Sequence, residues 1–498
     1  MIRFVLFCLL FLGWQSSSLL FAQQLHLPTD TMVFTQHTTT IQGKAVNYTA
    51  EIGTQPVWDE MGKPIATLHY TYYTRNNVNK PAERPLLISF NGGPGSGSVW
   101  MHVAYTGPQV LNIDEEGYPV QPYGTHENPY SVLDVADIVY VNPVNTGYSR
   151  TIPMSGPEVK REKFFGVNED IAYLAEWLNT FVSRHERWRS PKYLIGESYG
   201  GTRVAGLALA LQERQWMYLN GVILVSPADY NARASDRAVS SSIDFPYKTA
   251  AAWHHRQLPA DLQQQDLLDV LPLAEKFAID VLMPAIAKGG FLGATEKENI
   301  AREMERMTGV DAKVYLQHNL DLPNRYFWKE LLRDEGGYTI GRLDSRYLGI
   351  DKIEAGSSPD YSAELTSWLH SFTPAINYYL REELKFPTDI KYNMFGPVRP
   401  WNFEDNTVRE DLRKAMAENP YLNVMFQSGY YDGATTYFNA KYTMWQLDPS
   451  GKLKDRLSFQ GYRSGHMMYL RKEDLENANN HLRDFIKQSL PRNKAAKY

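Results

Sequence analysis

A serine between glycines, Gly196-Glu197-Ser198-Tyr199-Gly200, fits the pattern Gly-x-Ser-x-Gly. It directly follows a short apolar run, Tyr193 to Ile195, and directly precedes a helical stretch. A nucleophilic serine needs such a sharp strand-to-helix turn to lift its oxygen above a sheet, and side chains at the flanking positions would collide with neighbouring backbone. Serine is a weak nucleophile alone, so it requires a base and an acid that orients the base. His466, in Arg463-Ser464-Gly465-His466-Met467, is the candidate base, and Asp432, in Gly429-Tyr430-Tyr431-Asp432-Gly433, is the candidate acid. The chain order Ser, Asp, His suits this kind of turn. Asp229, after the run Gly221 to Val225, is a rival for the acid. The other histidines fit less well: His254 and His255 are adjacent in a helix-rich region, His102 falls in a predicted helix, and His185 and His481 read as exposed helix positions. A second loop, Asn91-Gly92-Gly93-Pro94-Gly95, can supply the Gly93 amide, which with the Tyr199 amide would hold the oxyanion of a tetrahedral intermediate. Each such donor is worth about 10²–10³ in rate. No His-Glu-x-x-His or similar spacing occurs, and neither a metal nor a cofactor is expected.

These loops must be carried by a regular scaffold, and the sequence supplies one. Pro64 to Thr74 reads as an early strand, and Pro85 to Phe90, Ala136 to Val141 and Tyr193 to Ile195 read as buried parallel strands, each ending in a Gly- or Asn-containing loop. Between the last two, Asn168 to His185 puts Ile171, Leu174, Trp177, Leu178 and Phe181 on one helical face, with acids at its start. A helix over Gly201 to Arg214 leads to a strand at Gly221 to Val225, and strands resume at Asn423 to Phe426 and Leu457 to Phe459. The expected fold is α/β, a mostly parallel central sheet with helices on both faces. Between about Asp229 and Asn423 the strand rhythm stops and helical segments such as Ala260 to Leu271, Pro272 to Met283 and Ile300 to Met307 take over. The expected organisation is a core over 23–230 and 401–498 with a largely helical cap over 231–400. The rival reading is an ordinary second domain.

Among 498 residues, 43% are hydrophobic and 21% charged, which suits a globular protein. The net charge is −5, without a Lys/Arg run dense enough to counter a nucleic-acid backbone, so no nucleic-acid partner is expected. At the N-terminus Arg3, the apolar stretch Phe4 to Trp14 and the small or polar residues to Ala22 read as a secretory signal over 1–22, with an uncleaved anchor as the alternative. The single cysteine, Cys8, lies inside it. A mature chain without cysteine can form no disulfide, which fits a bacterial periplasm or exterior, with no stable membrane association after cleavage.

The chain resembles the serine carboxypeptidases, peptidase family S10, of the α/β-hydrolase superfamily. The resemblance runs from about Leu86 to Leu470 and rests on Asn91 to Gly95 (NGGPG), Asn128 to Ser131 (NPYS), Asn142 to Ser149 (NPVNTGYS), Gly196 to Gly201 (GESYGG) and Ser464 to His466 (SGH), in that order. It implies an α/β-hydrolase fold and removal of C-terminal residues from peptide substrates by a Ser198, Asp432 and His466 triad, with Gly93 and Tyr199 as oxyanion donors. It also implies that Asn91 and Glu197 hydrogen-bond the substrate's terminal carboxylate. Beside another carboxylate Glu197 should be held neutral and donate, favouring acidic pH.

There are departures. Tyr105 stands where the family commonly has a second Glu, and would be a possible further contact to the carboxylate. Gly429 to Asp432 keeps the Gly and final Asp of the GDxD pattern but loses its first Asp; Thr202-Arg203-Val204-Ala205 replaces basic-Tyr-x-Pro; Val141 replaces an Asp; and Ser96 replaces a Cys. These changes point to a divergent, bacterial-type branch. An esterase or acyltransferase with the same triad is the alternative, and a non-catalytic binding protein a more distant one.

Overall fold

The computed structural model describes residues 27–152, 161–228, 236–404, 406–491 and 494–495. The expected signal segment with Cys8, and the rival acid Asp229, lie outside the described residues. The chain enters the sheet through two long strands, β1 (Thr31–Ile41) and β2 (Lys44–Trp58), paired antiparallel. Their turn is Gln42-Gly43, both at positive φ (49° and 72°), the left-handed pair that matches strand twist in a two-residue hairpin. Neither strand was expected. Next comes β3 (Pro64–Arg75), antiparallel to β2.

Six further strands carry the chemistry: β4 (Leu86–Phe90), β5 (Asp137–Val141), β6 (Lys192–Glu197), β7 (Gly221–Val225), β8 (Asn423–Gly429) and β9 (Leu457–Tyr462). The sheet order is β1-β2-β3-β5-β4-β6-β7-β8-β9, with Arg150–Thr151 as a short tenth strand against β3. From β5 through β9 every pairing is parallel, while β5 meets β3 antiparallel. Strands β4 to β7 are buried throughout, which is why they read as unbroken apolar runs. Alternate residues feed opposite faces: Leu86, Ile88 and Phe90 join a core with Leu174, Trp177, Phe181 and Val204, whereas Leu87, Tyr193 and Ile195 join one with Trp368, Phe372, Leu475 and Leu482. The fold is therefore a mostly parallel sheet covered by helices on both sides.

The strand order reverses at β4. The chain passes from β4 to β5 on one side and then crosses to β6 on the other, so the carboxyl ends of β4 and β6 adjoin, with Phe90 level with Gly196. A crevice outside the carboxyl ends of strands at such a switch point is where an open α/β sheet builds its site.

The segment expected as one cap divides in two. Helices between Arg237 and Glu330 build one core, with Tyr247, Leu271, Met304, Tyr315 and Phe327 inside it, which Tyr431, Tyr437 and Phe438 join from the segment after β8. The helix Ala363–Tyr378 instead presents Trp368, Phe372, Ala375 and Ile376 to the sheet-face core, and Phe386, Tyr392 and Met394 follow it there. Helix boundaries in this region also differ from expectation. A helix runs from Leu267 to Phe277 through Pro272, where the sequence suggested a break. No helix among the described residues is long and apolar enough to cross a membrane.

Candidate active site

Strand β6 ends at Glu197, and a helix of 17 residues starts at Tyr199. Ser198 joins them at φ 59° and ψ −126°. A non-glycine residue held there costs on the order of 1–3 kcal/mol, and only surrounding structure can keep it so. That structure is backbone hydrogen bonding: the Ser198 amide donates to Val225 O (2.9 Å), and the Ser198 carbonyl accepts from the amides of Gly201 (2.9 Å) and Ala228 (3.0 Å). The glycines serve close approach. A Cβ on Gly196 would run into the Gly200 carbonyl, one on Gly200 would come within 2.8 Å of Phe90 O, and one on Gly92 would strike the Tyr199 amide.

Beyond the carboxyl ends of β8 and β9, His466 Nδ1 lies 2.6 Å from Asp432 Oδ2. Thr435 donates its hydroxyl to the same carboxylate oxygen at 2.6 Å, and Asp432 Oδ1 accepts the amides of Ala434 (2.8 Å) and Thr435 (3.0 Å). The carboxylate is thus fixed from both oxygens. Burial works to lower the His466 pKa, but the Asp432 carboxylate, its hydrogen bond and the charge of Glu197 outweigh burial and hold it above the usual histidine value. The His466 backbone is tied to Leu343 O through its amide (2.6 Å) and accepts the Ser226 hydroxyl at its carbonyl (2.7 Å). With Nδ1 committed to Asp432, Nε2 is the ring atom left for proton transfer. Ser198 and His466 border one cavity of about 210 Å³, together with Gly92, Gly93 and Glu197.

The Gly93 and Tyr199 amides have no hydrogen-bond acceptor among the described residues. Tyr199 opens its helix, so its N–H adds the positive end of the helix dipole. The Gly93 loop is held by a residue that carries no motif, Arg203, which is fully buried. Its guanidinium donates to Asp170 Oδ2 (2.6 Å), Asn91 O (2.6 Å) and Pro94 O (3.3 Å), tying the serine-bearing helix to the loop opposite.

Glu197, also buried, accepts from Asn91 Nδ2 at Oε1 (3.2 Å) and from the Tyr469 hydroxyl at Oε2. Burial pushes its pKa up to about 7, against the lowering effects of the His466 charge and those hydrogen bonds. Asn91 is wholly buried, its Oδ1 accepting the Met101 amide at 3.1 Å, and it holds Glu197 from behind without bordering the cavity.

Tyr105 requires a correction. Its hydroxyl donates to Gln427 Oε1 (2.8 Å) and is 3.3 Å from Ala478 O, so it is spent inside the core, and its ring stacks on Tyr469 with centroids 4.8 Å apart. Tyr469 is the phenol that reaches Glu197. Sequence reasoning passed over it, since nothing but its place three residues after His466 separates it from 31 other tyrosines. Among the described residues no other histidine borders the cavity. His102 is buried on the Tyr73 hydroxyl (2.6 Å), and His254 packs on Tyr431. His185, expected to be exposed, lies 3.0 Å from Glu51, and His481, expected likewise, lies 3.1 Å from the Tyr462 hydroxyl.

A strained serine at a strand-to-helix turn, above the reversal point of a mostly parallel sheet and sharing a cavity with an Asp-bound histidine, is the arrangement of the α/β-hydrolase fold. Residues 60–258, the part that carries the Gly93 and Ser198 loops, match the family described as serine carboxypeptidase. The chain is similar to serine carboxypeptidase-like 8 of Arabidopsis thaliana (29% identical over 171 residues, 33% of this chain and 37% of the relative) and to the retinoid-inducible serine carboxypeptidase of Homo sapiens (26% over 261 residues, 51% and 50%). The alignments thus span between about a third and a half of those relatives' length. Among solved structures, the fold is similar to that of Kex1, a prohormone-processing carboxypeptidase from Saccharomyces cerevisiae, with a TM-score of 0.53, 14% identity and coverage of 88% of this chain and 91% of that one.

Proposed function

We propose that the protein is a serine exopeptidase that removes C-terminal residues from peptides through an acyl-enzyme intermediate. The observation that carries this reading is the 2.6 Å contact between His466 and Asp432, with the His466 ring bordering the same cavity as Ser198, Gly93 and Glu197. Ser198 Oγ attacks the last peptide carbonyl while His466 Nε2 takes its proton and then delivers it to the leaving amine. Asp432 fixes the tautomer through Nδ1–H and stabilises the imidazolium. The Gly93 and Tyr199 amides receive the oxyanion. Glu197 in its neutral form donates to the substrate's terminal carboxylate, and Asn91 and Tyr469 hold it in place. Water then hydrolyses the acyl-enzyme with His466 as base.

The same proposal takes residues 1–22 as a secretory signal and puts the enzyme in the periplasm or outside the cell. It also takes the region 231–400 as a cover, because Arg342, Leu343, Leu365, Trp368 and Phe395 wall the cavity. The test has two arms. A fluorophosphonate probe is expected to label the wild-type protein and neither Ser198→Ala nor, at any appreciable rate, His466→Ala. Mass spectrometry of a mixed peptide library is expected to show stepwise shortening from the C-terminus. Ester turnover with no shortened peptide, or internal cuts alone, would reject the exopeptidase reading.

A further inference from the structure

Arg342 is the one permanent cation bordering the cavity among the described residues. It has no acid within ion-pairing distance among them either, whereas Arg346, one turn of chain away, is paired to Asp344 (Nη2 to Oδ2 2.6 Å). Its backbone is pinned to the catalytic loops. The Arg342 carbonyl accepts the Gly433 amide (3.0 Å), next to Asp432, and Leu343 O accepts the His466 amide (2.6 Å). The Leu343 amide in turn donates to the buried Glu364 at Oε1 (2.8 Å). An arginine so placed is aligned in advance with the reacting groups and has no ion-pair partner among the described residues, although its charge is felt by Glu364 and His466.

The surrounding wall is apolar, built from Trp100, Leu365, Trp368 and Met467. Such walls exclude water, and a charge pair formed beside them is screened less than one on open surface. At about 210 Å³ the cavity is below the ~300–1,000 Å³ of sites for drug-sized ligands and suits a single residue. It offers two carboxylate-binding groups of different kinds, the Glu197 carboxyl and the Arg342 guanidinium. A C-terminal glutamate or aspartate carries two carboxylates.

Resting on the exopeptidase reading, we propose that Arg342 makes the site selective for peptides ending in an acidic residue, its guanidinium binding the side-chain carboxylate while Glu197 takes the terminal one. The test compares four N-blocked dipeptides, Ala-Glu, Ala-Gln, Glu-Ala and Gln-Ala, on the wild type, R342K and R342Q. Wild type is expected to favour Ala-Glu over Ala-Gln by about tenfold or more in kcat/KM, as a charge-assisted hydrogen bond allows. R342K should keep part of that ratio, and R342Q should bring it near one. A wild-type ratio near one, an acid preference confined to the Glu-Ala and Gln-Ala pair, or an equal loss on Ala-Glu and Ala-Gln in R342Q would each overturn the proposal; the last would move Arg342 to the terminal carboxylate. Calorimetric binding of Ala-Glu and Ala-Gln to Ser198→Ala, with and without R342Q, reads the same preference without turnover. Acid-selective binding that needs Arg342, with no peptide hydrolysis by the wild type, would uphold this inference and reject the exopeptidase reading alone.

Discussion

Replacing Glu197 with Gln should change how stability depends on pH, in a direction that follows from its surroundings. Burial raises its carboxyl from 4.5 to about 7 in the folded protein. Between those values the folded state holds a proton that the unfolded state has released, so stability falls as pH rises from about 4.5 through 7. Each pKa unit is about 1.4 kcal/mol, which makes the loss from this group on the order of 3 kcal/mol once pH exceeds 7. The amide of the Glu197→Gln variant keeps the shape but never ionises; its one oxygen can accept from Asn91 while its NH2 donates to the Tyr469 hydroxyl oxygen. Glu364, also raised to about 7 by burial, titrates in both proteins and cancels in the difference. The charges of Glu197 and His466 act on each other's titration, so the quantity to follow is the difference between the two stability curves. Urea unfolding of wild type and Glu197→Gln at half-unit steps from pH 5 to 8 should show the variant gaining relative stability with rising pH, most of it between 5 and 7. In parallel, wild-type kcat/KM on a peptide with a free carboxylate should fall as Glu197 ionises, while the variant should lose both activity at low pH and this alkaline limb. Parallel unfolding curves across the range would refute the claim that Glu197 is held neutral by its site.

Two further predictions test the groups around it. Tyr469→Phe removes the hydroxyl that favours the ionised form of Glu197, so the alkaline limb of the peptide profile should move to higher pH; an unchanged or lower midpoint would exclude Tyr469 from setting the carboxyl. Arg203→Ala leaves Asp170 buried without its cation, a change that typically costs about 3–5 kcal/mol, and frees the Asn91 and Pro94 carbonyls. Urea unfolding should register that loss, and a decrease below about 1 kcal/mol would show the pair to be structurally idle.

What the sequence made legible was what short range controls. The 3.6-residue spacing of Ile171, Leu174, Trp177, Leu178 and Phe181 names a helix face, and all five are buried. The runs at β4 to β7 are readable because strands covered on both faces have no reason to alternate. Strand β1 escaped because a Thr-rich edge such as Thr31 to Ile41 buries little, and the Gln-Gly turn that joins it to β2 lacks the usual Asn or Asp. The cap boundary escaped for a different reason. Whether Trp368 and Phe372 pack on a separate core or on the sheet depends on a long-range docking that an amphipathic helix pattern leaves open.

The same division explains the site. Ser198, Gly93 and His466 were legible because a strained turn, a close backbone approach and a loop at a strand end each demand particular residue types locally. Tyr469, Arg203 and Arg342 act across the fold, on Glu197, on the Gly93 loop and at the cavity wall, and no local rule demands a Tyr or an Arg at those positions. The backbone ties from Arg342 and Leu343 to Gly433 and His466 are made by amides and carbonyls that every sequence has. Only the assembled chain turns them into a fixed position for a charge. On the proposed reading the insertion therefore does two things through one short segment: its backbone carbonyls at residues 342 and 343 hold the loops of Asp432 and His466, while the side chain of Arg342 faces the substrate, so Arg342→Gln should alter preference and leave the Asp432 to His466 contact in place.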